Sequence, residues 1–130
     1  MIDIDQLSAD DRTTHRVKIS KDAGFVVIGP NSAEYHKAEA KMAAAAIMAM
    51  RSGQGPDLDT EDGAMAAAAQ SRDRALMVAE LCTVDWYGFT SAGAEIPFTV
   101  DSLRSVLAKR PNWALTIAQA VEREGNFTKG

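Results

Sequence analysis

The chain has 130 residues, of which 46% are hydrophobic and 25% are charged, and its formal net charge is −4 at pH 7; these values are typical of one globular domain. Lysine and arginine are spread along the chain without a basic cluster, so we expect no nucleic-acid partner. The longest apolar run, residues 42–50, is far shorter than the roughly 20 residues of a membrane span, so we expect no membrane partner.

The start of the sequence predicts an acidic arm and then a β-hairpin. Residues 1–14 are polar and acidic, so we expect a flexible N-terminal arm, with a single α-rich domain over residues 15–130. Residues 15–20 alternate polar and apolar side chains, and a continuous β-branched run follows at residues 25–29. Because the intervening KDAG segment has turn-forming residues, the pattern predicts a hairpin.

Two long alanine-rich helices should follow the hairpin. The stretch Ala33–Arg51 has no glycine or proline, and Asn31 or Ser32 can cap its start. Residues 52–59 contain two glycines and a proline, so the first long helix should end there.

Thr60 can cap the second long helix, with acidic residues in the first turn, where the helix dipole favours negative charge. One stripe of this helix is formed by Met65, Ala68, Ala69, Leu76 and Ala79. Residues 81–87 are rich enough in β-branched and aromatic residues to form a strand, but the helix could also fray into them, and both alternatives stay open.

The C-terminal part of the sequence predicts a turn-rich segment and two short helices. Thr99 can cap the first short helix, after the turn-rich residues 88–98. Pro111 ends that helix and suits the first turn of the next one, which Gly125 should end. The apolar positions follow helical spacing and are Leu103, Val106, Leu107, Trp113, Ile117, Ala120 and Val121. Phe127 then turns back towards the helices.

Taken in order, these elements predict an α+β fold that is mostly α-helical. It has an N-terminal β-hairpin, two long alanine-rich helices and two short C-terminal helices. Because alanine buries little surface, the core should be shallow, and a partner surface is expected to complete it. Alanine-rich faces also let helices approach closely, which makes a homo-oligomer a possible assembly.

The residues that could carry chemistry do not form a recognisable site. His36 and Glu39 lie one helical turn apart, but a solvated helix face explains them better than half of a metal site. The lone cysteine, Cys82, has no neighbouring histidine and is interpreted as a buried structural thiol. The acidic residues near the second helix start lack the order of a calcium loop and are Asp57, Asp59, Glu61 and Asp62. We therefore expect no catalytic residue, cofactor or metal, and not an enzyme.

Methionine and aromatic side chains are the better candidates for structural or partner-binding roles. The candidates are Trp86, Tyr87, Phe89, Phe98, Trp113, Phe127, Met42, Met50, Met65 and Met77. Methionines on helices are commonly core residues, and the alternative is an adaptable groove that grips a helix or strand of another protein. The four aromatics of residues 83–99 are expected to pack the junction between the long and the short helices, and one of them could instead face a partner.

Several motifs of the C-terminal half occur in a fixed order. Trp86-Tyr87-Gly88 precedes a small-residue loop, Pro97-Phe98-Thr99 precedes a helix with Leu103, Leu107 and Pro111, and Trp113 and Asn126-Phe127 follow. This order, together with the N-terminal FVVIGPNSAEY, resembles the tail assembly chaperones of long-tailed, siphophage-like bacteriophages and prophages. The resemblance covers most of residues 15–127, apart from the alanine-rich middle.

The resemblance implies a small, mostly helical, non-enzymatic protein of tail morphogenesis. Such chaperones bind the tape measure protein, recruit tail tube subunits and leave before the virion is complete, so the resemblance implies the host bacterial cytoplasm. The acidic start lacks the pattern of a signal peptide, which agrees with that location. Many members have a frameshift-extended form, and this chain would correspond to the short form. The alternative is another morphogenesis protein that stays in the virion, such as a head–tail connector or a minor tail component.

Overall fold

The computed structural model describes residues 4–6, 10–51, 53 and 59–127. Parts of the predicted arm at 1–14 and of the predicted helix break at 52–59, including Asp57, lie outside the described residues. The described residues form five strands and four α-helices, which are β1 (Thr14–Lys18), β2 (Gly24–Ile28), α1 (Ala33–Arg51), α2 (Glu61–Cys82), β3 (Thr83–Tyr87), β4 (Thr90–Ser91), β5 (Ala94–Glu95), α3 (Val100–Lys109) and α4 (Pro111–Glu122). Short 3-10 turns lie at Ile4–Gln6 and Glu124–Phe127. The predicted fold, α+β and mostly helical, is confirmed.

The strands β1, β2 and β3 form an antiparallel sheet with β2 in the centre. The pairing of β1 with β2 confirms the predicted hairpin. The chain leaves α2 at Cys82 and continues directly as β3, so the strand alternative for residues 81–87 is the correct one from Thr83 onwards. The third strand explains why β2 reads as a continuous apolar run, because a central strand covered by helices is buried almost throughout.

Side-chain hydrogen bonds fix three of the helix starts. Ser32 Oγ accepts a hydrogen bond from the Tyr35 backbone N–H at 3.2 Å, which selects Ser32 rather than Asn31 as the cap of α1. The predicted caps of α2 and α3 are confirmed in the same way, because Thr60 Oγ1 accepts from Gly63 N–H at 2.9 Å and Thr99 Oγ1 accepts from Ser102 N–H at 3.0 Å.

The end of α4 differs from the prediction. The helix ends at Glu122, because Arg123 already has extended backbone angles, φ −88° and ψ 94°. Gly125 lies in the 3-10 turn that follows, so the prediction that Gly125 ends the helix is wrong. Asn126 stabilises this turn, since its side-chain amide donates to the Ala120 carbonyl at 3.1 Å.

The core lies between the sheet, the start of α1, the last two turns of α2, and the two C-terminal helices. Its helical members are Tyr35 and Ala38 of α1, Ala75, Val78, Ala79 and Cys82 of α2, Leu103 and Leu107 of α3, and Ala114, Ile117, Ala118 and Val121 of α4. The sheet contributes Val17, Phe25, Val27, Ile28 and Trp86. The most extensive helix–helix contact joins α2 to α4. Small alanine side chains on both helices allow this close approach.

The predicted apolar stripe of α2 is not the face that packs on the core. Met65 is 65% exposed and Leu76 is 37% exposed, and Ala68 and Ala69 are also exposed. Of the predicted stripe, Ala79 alone is buried. The stripe failed as a guide to burial because alanine occupies every side of the helix, so its spacing does not identify one face.

The end of the predicted N-terminal arm contacts the start of α1. Arg12 Nη1 donates to both carboxylate oxygens of Glu34 at 2.8 Å. Asp10 Oδ1 accepts a hydrogen bond from the Ala33 backbone N–H at 2.9 Å. Two carboxylates therefore lie near the positive end of the α1 dipole, where negative charge stabilises a helix.

Candidate functional site: aromatic cluster and methionine groove

Four of the six aromatic candidates form one ring cluster with Phe25 of the central strand. Trp86 lies 4.6 Å from Phe89 and 5.6 Å from Phe98, measured between ring centroids. Phe89 lies 5.1 Å from Phe25 of β2, and Phe25 lies 6.2 Å from Trp113 of α4. These separations and tilts are those of favourable aromatic pairs, so the rings stabilise one another beyond simple burial.

Trp86 anchors this cluster. Its side chain is 7% exposed, and its indole Nε1–H donates to the Ile96 carbonyl at 2.9 Å. That hydrogen bond ties β3 to the chain just after the β4–β5 hairpin. Because its ring is packed and its one polar group is satisfied, Trp86 is a scaffold residue rather than an exposed contact for a partner.

The cluster joins the sheet, the β4–β5 region and α4 through its rings. The helix α2 has no aromatic residue, so ring pairs do not test the predicted packing at the junction with the long alanine-rich helices, which stays a prediction. The sequence did not reveal that residues 83–87 place Trp86 beside β2, and this pairing decides which rings meet.

Two candidate aromatics lie outside the cluster. Tyr87, next to Trp86 on β3, points to the other side of the sheet, where the Arg16 guanidinium lies 5.1 Å from its ring centroid. Phe127 is 7% exposed, and its ring makes an edge contact with His15 at 5.8 Å between centroids. Its ring also covers Gly29, so Phe127 turns back onto the β1–β2 hairpin, whereas the prediction placed it against the helices.

Three of the four candidate methionines meet in a groove between α1 and α2. Met42 and Met50 of α1 and Met77 of α2 line it, and its volume is about 390 Å³. The alanines between the methionines of α1, Ala45, Ala46 and Ala49, also line it. We call this surface the methionine groove.

The polar rim of the methionine groove is supplied by α2. Gln70, Asp73 and Arg74 line this side. Arg74 is held in place by Glu122 of α4, with 2.9 Å between Arg74 Nη2 and Glu122 Oε1. An apolar groove with a few polar groups on one edge is the usual form of a site that binds a helix or an apolar ligand.

Met65, the fourth candidate methionine, does not line the groove and points away from it. The sequence interpretation missed the three groove alanines and the polar rim. The alanine run of α1 was visible, but only the structure shows that one side of it faces α2 across an open space.

Cys82 is buried, as predicted, and burial raises the pKa of its thiol to about 12.

His36 and Glu39 are exposed, as expected for a solvated helix face. Within the described ranges, no group of three or more histidine, cysteine and acidic side chains is placed to hold a metal ion. Searched over the same ranges, no helix has the length and apolar character needed to cross a membrane.

No family model, curated protein or solved structure matches this chain. Its function is therefore inferred from the methionine groove, the exposed alanine-rich helices and the motifs of the C-terminal half.

Proposed function

We propose that the chain is a phage tail assembly chaperone that binds the tape measure protein and takes no part in catalysis. The methionine groove carries this proposal, since it offers an open apolar channel between two helices. An apolar segment of the tape measure protein would lie in this groove, and tail tube subunits would be recruited to the resulting complex. The resemblance of the C-terminal half to such chaperones gives independent support.

The side chains of the groove suit a client with an irregular apolar surface. Methionine has an unbranched, polarizable side chain that adapts its shape to different partners. Met50 is 78% exposed, and Met42 and Met77 are half-buried, so the groove has both exposed and partly packed methionines. Alanine between them leaves room for the backbone of an incoming helix to approach closely.

The groove also belongs to a larger apolar surface that the fold itself leaves uncovered. Along residues 43–51 of α1 every side chain is exposed except that of Ala49, which is half-buried. Ile47 and Met48, on the side of α1 away from the groove, are 52% and 71% exposed and lie outside the proposed binding surface. Of the exposed apolar residues of α1, those that line the groove are the candidates for client contact.

The overall charge supports a protein that keeps such a surface in solution. The net charge of −4 opposes self-aggregation through the apolar side chains. The rim carboxylate of Asp73 and the guanidinium of Arg74 can pair with charges that flank an apolar client segment. Rim charges of this kind contribute more to partner choice and association rate than to affinity.

The direct test is co-expression of the chain with the tape measure protein of the same phage. We expect the wild-type chain to keep the tape measure protein in the soluble fraction. Met50→Glu should reduce that effect, because a carboxylate placed in an apolar contact weakens binding by about tenfold or more. The matched control is Met48→Glu, which changes the same residue type on the same helix outside the groove.

Two outcomes contradict the proposed function. If the tape measure protein is equally soluble without the chain, the chain is not its chaperone. If Met50→Glu and Met48→Glu behave alike, the groove is not the binding site. Mass spectrometry of purified virions supplies a separate check, since a chaperone should be absent from the particle, whereas a connector or minor tail component should be present.

A further inference from the structure

The outer face of α2 has a pattern of its own that the methionine groove does not use. Asp62, Met65, Ala69, Arg72 and Leu76 follow one another at alternating intervals of three and four residues. This is the spacing of a coiled-coil seam, so the five side chains lie along one side of the helix. All five are exposed. We call this line of residues the outer stripe of α2.

The outer stripe is separate from the other faces of α2. The side chains of α2 that belong to the core include Ala75, Val78 and Cys82. Those that line the methionine groove include Gln70, Arg74 and Met77. Met65 is 65% exposed and lines neither, whereas Leu76 lines a second pocket with Val100 and Arg104 of α3. The part of the stripe that faces no other element therefore runs from Asp62 to Arg72.

We propose that the outer stripe of α2 packs against the same stripe of a second copy, giving an antiparallel homodimer. In this arrangement Met65 of each copy lies against Ala69 of the other. The same register places Asp62 of each copy opposite Arg72 of the other, so the ends of the seam carry two symmetric pairs of opposite charge. An isologous contact repeats every favourable pair twice, which strengthens a small interface.

Charge complementarity selects this occupant and this orientation. In a parallel pairing Asp62 would face Asp62 and Arg72 would face Arg72, which places like charges together at both ends. Neither residue forms an ion pair with another residue in the described part of the chain. Both charges are therefore available to a second copy.

The alanines beside the seam allow close contact between the two helices. Ala66 and Ala68 flank Met65 and Ala69, and between Asp62 and Arg72 the stripe itself carries one large side chain, that of Met65. The separation of interacting helices depends on the side chains at the contact, so alanine brings the two backbones to the short end of the usual 8–10 Å range, at roughly 8 Å. The stripe from Asp62 to Arg72 is about 15 Å long, or nearly three turns.

The test uses the full chain and measures its mass in solution by light scattering over a concentration series. We expect a species of twice the chain mass of 13.9 kDa. Asp62→Arg or Arg72→Asp alone should weaken the dimer by about tenfold, because each places like charges together at both ends. The double variant with both changes should restore the wild-type dissociation constant, since it exchanges the charges and keeps the pairing.

A matched control separates loss of the dimer from damage to the helix. Asp101→Arg makes the same charge change in the first turn of α3, where Asp101 is 96% exposed, and it should leave the dimer unchanged. Circular dichroism should show the same helix content for all variants. A chain that is monomeric at every concentration overturns the proposal, as does a dimer that both single variants leave unaltered.

Cross-linking tests the register. In the antiparallel seam Met65 of one copy lies opposite Ala69 of the other, so a mixture of Met65→Cys and Ala69→Cys chains should form a disulfide-linked heterodimer on mild oxidation. Ala64 is exposed but lies about 120° round the helix from the stripe, so Ala64→Cys chains should not form a disulfide-linked dimer. Cys82 is buried and does not interfere. If the stripe is protected only when the tape measure protein is present, the client occupies it and the homodimer proposal is wrong.

Discussion

Two regions of this molecule use the same residue for opposite purposes. In the packed core, which is the sheet with the end of α2, α3 and α4, alanine is buried at Ala75, Ala79, Ala114 and Ala118. In the exposed alanine region, which is residues 43–51 of α1 and 64–72 of α2, alanine lies mainly on the surface. Alanine favours helix in both places but does not decide burial. What decides burial is whether large side chains such as Phe25 and Ile117 face the helix.

The comparison predicts that substitutions in the packed core have much larger effects on stability than those in the exposed region. The largest effect should come from Trp86→Ala, which removes a buried ring and its hydrogen bond to Ile96. We expect a loss of about 3–5 kcal/mol in the free energy of unfolding, measured by urea denaturation. Met48→Ala, in the exposed region, should change the stability by less than about 0.5 kcal/mol.

Equal losses for the two variants would break the comparison, because they would mean that the exposed region is packed in solution. Trp86→Phe refines the result, since it keeps an aromatic ring and removes only the indole N–H. An intermediate loss is expected, of about 1–2 kcal/mol for the hydrogen bond and the smaller ring.

A second prediction compares two glycines with the same backbone conformation. Gly88 and Gly93 both have φ of +81°, so alanine at either position costs about 1 kcal/mol for the left-handed conformation. At Gly88 a Cβ would also overlap the Asp22 carbonyl oxygen, whereas at Gly93 nothing lies within 4 Å. Gly88→Ala should therefore destabilise by about 2–4 kcal/mol and Gly93→Ala by about 1 kcal/mol.

Thermal unfolding of the two glycine variants measures this difference. If both variants lose the same stability, the turn at Gly88 does not contact the β1–β2 turn. The packed core would then end at β3. A larger loss for Gly93→Ala would contradict the account of this turn altogether.

The third and smallest effect concerns Cys82, at the end of the buried face of α2. Its thiol pKa of about 12 in the folded chain lies above the ordinary value of 9.0 because of burial. Below about pH 9 the thiol is neutral in both the folded and the unfolded chain, so its burial contributes fully to the free energy of unfolding. Above pH 9 the unfolded thiol loses its proton first, and this contribution to stability is lost as the pH rises towards about 12.

Two measurements check the Cys82 account. A thiol reagent at pH 8 should modify the native chain far more slowly than the unfolded chain, because reaction needs an exposed thiolate. Between pH 9 and 11 the wild type should lose more stability than Cys82→Ala. Other groups that titrate at alkaline pH destabilise both proteins equally, so the difference between the two reports Cys82. Fast native labelling would place Cys82 in a mobile segment rather than in the core.

Much of the fold could be predicted because its signals are local. Thr60 and Thr99 cap helices where their spacing predicts, Pro111 begins α4, and the α1 bounds match the glycine-free stretch Ala33–Arg51. These features depend on a few neighbouring residues and need no tertiary information.

The faces of the alanine-rich helices could not be predicted. Met65 and Met77 lie on the same helix and have the same side chain, yet Met77 lines the groove and Met65 points away from it. The hydrophobic period identifies a buried face only when the opposite face is polar. On α2 alanine occupies all sides, so the pairing of β3 with β2 and the packing of α4 set the orientation.

The central claim is that the packed core is a scaffold and the methionine groove is the binding surface. Hydrogen–deuterium exchange of the chain, alone and with the tape measure protein bound, tests it most directly. The account predicts added protection at residues 42–50 and 70–77, with no change at residues 83–98. Protection confined to residues 83–98 would contradict it, because the ring cluster around Trp86 would then be the surface that meets the client.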